Sequence, residues 1–335
     1  MHMADALLSP AVGGVMCVVS AAALGAAVKK MKTEEQKKLP MMAVTGAFVF
    51  AAQMINFTIP GTGSSGHIGG GILLAALLGA PAGLLTMAVV LTIQCLIFAD
   101  GGLLALGCNI FNMGVIPCLI VYPLLFKPIF GKQGGAGRIM GASVAAVTVG
   151  LQLGAFAVVL ETVASGITAL PFSTFVLLMQ PIHLAIGLVE GIVTGAVLCY
   201  VWRTQREILD AYHGGGPVET AGVKRTAVVF AVAAVLVAGG LSLAASGLPD
   251  GLEWAMERTA GTAELPAEGA VLEGAAEIQE ATALMPDYAA PVESEAAGGS
   301  IAGVAGAVMT FVLAGAVGGV IIGVKKRRKK QTERR

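Results

Sequence analysis

The chain has 335 residues with 21 basic and 21 acidic side chains, so its formal net charge is zero; 56% of its residues are apolar and only 13% are charged. Soluble domains carry about a quarter charged residues, so this composition excludes an ordinary soluble enzyme, and it is too apolar for disorder over most of its length. The basic residues punctuate apolar blocks and form no patch for nucleic acid; the expected fold class is an all-α, polytopic membrane helix bundle.

The chain opens MHMADALLSP, without a basic n-region and with an acid at Asp5, so no secretory signal peptide is expected. Apolar blocks follow at 6–28, 40–59, 68–98, 103–126, 139–163, 172–202, 226–247 and 301–324. A spanning helix needs about 20 apolar residues. The block 68–98 is too long for one span and too short for two, and it contains Gly79-Ala80-Pro81. Proline disfavours helix at the preceding residue and removes a donor, so a short helix over 68–79 and a second over 82–98 are predicted. Charge tests the split. Nine transmembrane helices, with the N-terminus outside and the C-terminus inside, place 20 of the 21 basic residues in inner segments and leave only Arg258 outside. A single span at 68–98 would instead turn Lys127, Lys132, Arg138 and the KKRRKK run outward. Helices this rich in glycine are expected to pack through small residues.

A cytoplasmic linker, 204–225, contains Gly214-Gly215-Gly216-Pro217 and separates a seven-helix module, 1–203, from a two-helix module, 226–324, with a basic cytoplasmic tail at 325–335. Within the second module an outer loop, 248–300, carries 11 of the 21 acids against Arg258 alone. It reads either as a solvated, partly disordered segment or as one that attracts cations or touches the outer mouth of the first module. Cys17, Cys95, Cys108, Cys118 and Cys199 all lie in apolar segments without a CxxC pair and read as small buried residues.

Four histidines occur, two of them on the outer side of this topology. His2 is the second residue; His67 sits in the glycine-rich run Gly61-Thr62-Gly63-Ser64-Ser65-Gly66-His67-Ile68-Gly69-Gly70-Gly71. With histidine at position 2, the Met1 α-amine, the His2 amide nitrogen and the His2 imidazole can close two fused chelate rings on one metal, and His67 can add a fourth nitrogen. Four planar nitrogens suit Ni(II) or Cu(II) better than tetrahedral Zn(II). Such a site needs a free Met1 amine, so an N-terminal tag should destroy it. Plainer readings stand beside this one: His2 as an incidental polar residue at a terminus, His67 as a loop histidine bonded to backbone, and Met3 as apolar packing. Gln53, Asn56, Gln94, Asp100, Asn109 and Asn112 lie in the outer halves of their spans. They either orient the histidines and fix the imidazole tautomers or bond between helices with no part in metal binding. His183 and Glu190, seven residues apart, share a helix face and read as a polar clamp or as a contact for coupling and translocation. His213 reads as solvated. No GxxxxGK[ST], HExxH or GxSxG motif occurs, so no enzyme activity is expected and energy must come from elsewhere.

Met1-His2, GAFVFAAQMINFTIPGTGSSGHIGGG (46–71), QCLIFADGGLLALGCNIFNMG (94–114) and HLAIGLVEG (183–191) resemble the CbiM/NikM family, the substrate-capture membrane proteins of cobalt and nickel energy-coupling-factor (ECF) transporters. Pro249-Asp250-Gly251-Leu252-Glu253 resembles the PDGLE domain of the NikN-type accessory component, so the chain resembles a NikM–NikN fusion. The resemblance implies a ligand set of Met1, His2 and His67 and location in a prokaryotic inner membrane. It also implies ion transport driven by a coupling membrane protein (NikQ/CbiQ-like) and ATPase subunits (NikO/CbiO-like). The family often starts Met-His-Ile followed by Glu-Gly, whereas this chain reads Met-His-Met-Ala-Asp-Ala. Planar nitrogen ligation and the PDGLE segment favour Ni(II) as cargo. Co(II) for cobalamin synthesis is the alternative, and a stand-alone proton-coupled transporter using His183 and Glu190 is a third reading.

Overall fold

A computed structural model describes residues 2–31, 39–131, 134–210, 220–292 and 294–332. Helix α1 spans Pro10–Lys30; Ser9 caps it by accepting from the Val12 amide at 3.3 Å, and Pro10 occupies its first turn, where a missing N–H does no harm. Helix α2, Leu39–Gln53, ends earlier than the apolar block 40–59 suggests. The chain then forms a small antiparallel hairpin, β1 (Phe57–Ile59) and β2 (Ser64–Gly66), a minor departure from the all-α expectation.

Helices α3 (Gly71–Leu78) and α4 (Ala80–Phe98) are the expected split. They meet at Gly79, whose φ of 82° is a left-handed value open to glycine. A Cβ on Gly83 would lie 2.9 Å from the Ala75 Cα, a contact that a continuous helix cannot make, so the chain reverses at Gly79. At eight residues α3 reaches only about 12 Å, so it does not cross a bilayer core by itself. Helix α5 runs over Leu106–Phe130 and is widened to π geometry from Phe111 to Phe126, the stretch that holds Pro117 and Pro123. Widening relieves the ladder where proline offers no donor.

Helices α6 (Ala136–Ala164) and α7 (Phe172–Thr204) lie antiparallel. Gly187, Gly191 and Gly195 of α7 face Thr148, Val144 and Met140 of α6 in register, and a Cβ on Gly191 would fall 2.6 Å from the Val144 Cα. This is close backbone approach through small residues at four-residue spacing. A short α8, Arg206–Asp210, follows, then α9, Thr220–Gly239; His213 and Gly214–Pro217 lie outside the described residues. The segment 248–300, expected as an outer loop, is not featureless: it holds α10 (Gly251–Ala260) and α11 (Ala270–Thr282). The last helix, α12, spans Glu295–Thr332. It runs antiparallel to α2, with Gly306 against Phe50, Gly46 facing Thr310 and Ala314, and Gly318 against Leu39 and Met42.

Among the described residues six helices are long and apolar enough to cross a membrane: Pro10–Lys30, Ala80–Phe98, Leu106–Phe130, Ala136–Ala164, Phe172–Thr204 and Ala297–Arg328. Of the remaining three segments expected to span, α2 has 15 residues, α3 has eight, and α9 is not among the six. The spans turn large apolar side chains outward, Val18, Leu124 and Leu177 being at least 70% exposed, as lipid-facing helices do and water-facing ones do not. The molecule is a multi-pass membrane protein. The Lys325 ammonium donates to the Lys29 and Met31 carbonyls, so the basic ends of α1 and α12 share one side.

Candidate metal site

The end of the bundle opposite the basic helix ends converges on His2 and His67. Residues before α1 fold inward: Met3, Leu7 and Leu8 are fully buried, and Asp5–Leu7 make one 3-10 turn. Asn109 holds this segment at both edges of Met3, accepting from its amide at 2.8 Å and donating to its carbonyl at 3.1 Å. Gly102 also donates to the Met3 carbonyl, and Asp5 accepts from the Ala105 amide at 2.8 Å. Gly102 abuts Asp5 so closely that no side chain fits there. A terminus that normally frays is thus clamped. Met1 lies outside the described residues.

The imidazoles of His2 and His67 stack, with centroids 5.2 Å apart and planes 19° from parallel. A chain of side chains fixes the proton on His2. The Gly69 carbonyl can only accept, so the Gln53 amide nitrogen, 2.8 Å away, must face it. The Gln53 oxygen then accepts from the Gln94 nitrogen at 2.9 Å, which turns the Gln94 oxygen toward His2 Nε2 at 3.1 Å. His2 Nε2 therefore carries the hydrogen and Nδ1 the lone pair. The same reasoning applies to His67. Its Nδ1 lies 3.2 Å from the Ile68 carbonyl and must donate, so Nε2 carries the lone pair.

Each lone-pair nitrogen has a carboxyl beside it. His2 Nδ1 is 3.3 Å from Asp100 Oδ1, and His67 Nε2 is 4.0 Å from Asp250 Oδ2. At the shorter distance, His2 Nδ1 to Asp100 Oδ1, two acceptors are reconciled by a proton or a metal cation between them. Burial lowers the pKa of both imidazoles, that of His67 well below its ordinary value, because desolvation disfavours the imidazolium. Neutral rings are the ligating form. Among the described residues no three His, Cys, Asp or Glu side chains converge closely enough to hold an ion by themselves, so backbone nitrogens would have to complete a set built on these two rings.

The second module closes over this site. Tyr288 donates to Asp100 Oδ2 at 2.5 Å; burial first, then the neighbouring Asp100, raises the Tyr288 pKa well above the usual phenol value, so the hydroxyl keeps its proton. Gln279 donates to the Gly101 carbonyl at 2.6 Å and to the Cys95 carbonyl at 2.9 Å. The Ser65 amide donates to the Pro249 carbonyl at 2.8 Å and the Trp254 indole to the Thr62 carbonyl at 3.0 Å. Asp250 caps α10 with a reciprocal capping box to Glu253, which aims its other oxygen at His67. Ala99, Asp287 and Tyr288 are the non-glycine residues with positive φ among those described. All three flank the Asp100–Tyr288 contact, so backbone strain is concentrated there.

Of the polar residues singled out in the sequence, Gln53, Gln94, Asp100 and Asn109 join one network around His2. Asn112 instead donates to Glu161 at 2.8 Å, with its nitrogen 3.8 Å from the Met3 sulfur. The Asn56 carbonyl accepts from the Ser246 amide at 2.7 Å and so binds the second module, not a histidine. His183 and Glu190 do not clamp each other, His183 Nδ1 pairing with the Met179 carbonyl at 2.8 Å, but Glu190 does bond between helices, accepting from the Gly70 amide at the start of α3 at 2.8 Å. Sequence reasoning missed Asp250 and Tyr288. Asp250 had a signal in the Asp-x-x-Glu start of a helix; Tyr288 had none.

The family model for the cobalt uptake substrate-specific transmembrane region (CbiM) matches residues 2–208, and the PDGLE domain model matches residues 224–323. A protein of Archaeoglobus fulgidus named as a fused nickel transport protein, NikMN, is 33% identical over 93% of this chain and 96% of its own length. The fused nickel transport protein NikMN of Rhodobacter capsulatus is 31% identical over 62% of this chain and 64% of its own. A protein of Methanocaldococcus jannaschii named as a cobalt transport protein, CbiM, is 29% identical over 62% and 90%. A crystal structure described as a transition metal transporter superposes with a TM-score of 0.53 at 30% identity, covering 63% of this chain and 97% of that one.

Proposed function

The chain belongs to the CbiM family, with a PDGLE domain fused behind it, and from that premise we propose that it captures a divalent transition metal ion, Ni(II) in preference to Co(II), for uptake across a prokaryotic cell membrane. The observation that carries this reading is the stacked pair of imidazoles whose lone-pair nitrogens, His2 Nδ1 and His67 Nε2, each stand beside a carboxyl. His2 Nδ1 is also the ring nitrogen that closes a chelate with the His2 amide and the Met1 amine. The ligand set is thus Met1, His2 and His67, with Gln53 and Gln94 fixing the tautomer and Asp100 and Asn109 setting position. Planar nitrogen ligation favours Ni(II).

Residues 1–203 form the capture module and 226–324 the PDGLE module, joined by the linker 204–225. Lacking a nucleotide-binding loop, the chain relies on separate ATPase subunits and a membrane coupling protein of ECF type. Release follows from the clamp on Met3. A shift of Gly102 and Asn109 relative to α4 pulls the first residues away from His67 and breaks several metal bonds together. The test is a titration of untagged protein with Ni(II) and with Co(II), alongside His2→Ala and a form extended before Met1. Ni(II) binds the native chain more tightly than Co(II), and both altered forms lose binding by more than the roughly 100-fold typical of an outer-sphere partner. Undiminished binding by the extended form refutes the ligand set; uptake in cells lacking the ATPase subunits refutes the ECF assignment.

A further inference from the structure

Helix α4 ends in a turn that it does not hold by itself. The last four carbonyls of a helix lack partners within it, and Cys95 and Ile97 carry two of those of α4. The chain leaves the helix through Ala99, at φ 56° and ψ 21°, and the Asp100 amide donates to the Gln94 carbonyl at 3.0 Å. Glycine is the usual residue for such a closing turn. An alanine there sets its Cβ against the following carbonyl, and a conformation of this kind persists only where surrounding contacts impose it.

Those contacts come from the second module. Gln279, in the last turn of α11, donates to the Cys95 and the Gly101 carbonyl. The Met285 amide donates to the Ile97 carbonyl at 3.1 Å. Tyr288 bonds Asp100 and lays its ring on Phe98, with centroids 4.8 Å apart. Residues 95, 97, 100 and 101 thus each accept from the segment 279–288.

The turn so held faces the metal site. Gln94 and Asp100 reach the two ring nitrogens of His2, at 3.1 Å and 3.3 Å, and a Cβ on Gly101 would lie 3.4 Å from the His2 Cβ. Gln94 joins the two tasks: its carbonyl closes the turn and its side chain orients the imidazole. We propose that residues 279–288 are a working part of the metal site. Acting chiefly through Gln279, a positioning residue, they impose the strained turn that brings Gln94 and Asp100 against His2. Closing the second module therefore raises affinity for the ion, and lifting it lowers affinity. The inference rests on the uptake reading above and gives the second module a part in binding itself.

Gln279→Leu keeps the side chain's length and removes both donations. Ni(II) is titrated into the purified, untagged full chain at a temperature well below the unfolding of every variant, so that the folded fraction stays constant. Affinity falls at least about tenfold, as for the loss of an outer-sphere partner, and release of Ni(II) to a competing chelator in stopped flow speeds up by a similar factor. Gln279→Ala, which adds no branched side chain, behaves alike. Adding Ala99→Gly relieves the turn of its Cβ. It recovers most of the loss and raises affinity more in the Gln279→Leu chain than in the native one, the mark of coupled positions. Native affinity in both Gln279 variants overturns the inference. So does a loss that Ala99→Gly leaves unchanged, and so does a parallel rise of entry and release rates at constant affinity, which would make the segment a lid alone. Should the native chain itself not bind Ni(II), it is the uptake reading that fails.

Discussion

Two regions of this molecule are held together by different physics. Where residues 246–288 meet the first module, a row of hydrogen bonds, Ser246 to Asn56, Ser65 to Pro249, Trp254 to Thr62, Gln279 to Gly101 and Tyr288 to Asp100, runs beside apolar packing of Leu252, Met256 and the Tyr288 ring, which stacks on Phe98. Each hydrogen bond contributes about 1 kcal/mol net and can be exchanged for water. Where α6 meets α7, glycines let the backbones touch, and separating them would leave a groove that lipid fills poorly. The cap can exchange its hydrogen bonds for water but must also bare the apolar face of Leu252 and Met256 to open; the glycine-faced pair moves as one body or not at all. Access to the histidines therefore belongs to the cap, and a fixed frame belongs to the pair.

Substitutions test this contrast. Gly191→Leu has the largest expected effect. It drives a side chain into the Val144 backbone and lowers stability by about 3 kcal/mol, read as a fall in thermal unfolding temperature in detergent or as failure to recover folded protein. Equal stability of this variant would mean the pair is as yielding as the cap. Gln94→Leu should leave the unfolding temperature close to native while weakening Ni(II) affinity by about 10- to 100-fold, because nothing then holds the hydrogen on His2 Nε2; titration calorimetry decides it. Acid acts on the histidine site that the cap covers. Burial holds His2 and His67 below the ordinary imidazole pKa of 6.5, so in the pH range beneath 6.5 the unfolded chain binds protons that the folded chain does not. Metal-free stability is then full above pH 6.5 and falls below it, by up to about 1 kcal/mol per imidazole at pH 5.5. Unfolding temperatures of the native and His2→Gln/His67→Gln chains measured between pH 7.5 and 5.5 should diverge accordingly. Tyr288→Phe is the mildest. Loss of one hydrogen bond to Asp100 should loosen the cap and shift Ni(II) affinity about fivefold with the fold untouched.

Much of the frame was legible because bilayer physics writes itself into composition. The break at Gly79-Ala80-Pro81 was visible both in the proline and in the distribution of lysine and arginine, and the helices part there. The ends were less legible. The block 40–59 reads as uniformly apolar, yet the helix stops at Gln53, where the chain turns into the glycine-rich hairpin. His2, His67, Gln53 and Gln94 could be named because a histidine at position 2 and amides inside apolar helices are chemically out of place. Their order along a hydrogen-bond chain could not, since it depends on which of them meets the Gly69 carbonyl. Asp250 approaches His67, and Tyr288 approaches Asp100, across more than 180 positions of sequence from an Ala- and Glu-rich segment that by composition alone also fits a disordered loop. Only the Asp250–Glu253 capping box there announced local order.

The carbonyl of Gly69 acts as the polarity key of the whole relay. It sits between a histidine two residues upstream and Gly70, whose φ of 79° is a left-handed value and whose amide is bonded to Glu190, so the Gly69–Gly70 peptide plane is held with its oxygen toward Gln53. Rotating that one plane would present an N–H where an oxygen stood, reverse both glutamine amides in sequence, and move the hydrogen on the distant ring from one nitrogen to the other. The orientation of one peptide plane in the loop of one imidazole, fixed by Glu190 and Gln53, thereby sets the other ring as a base toward the ion.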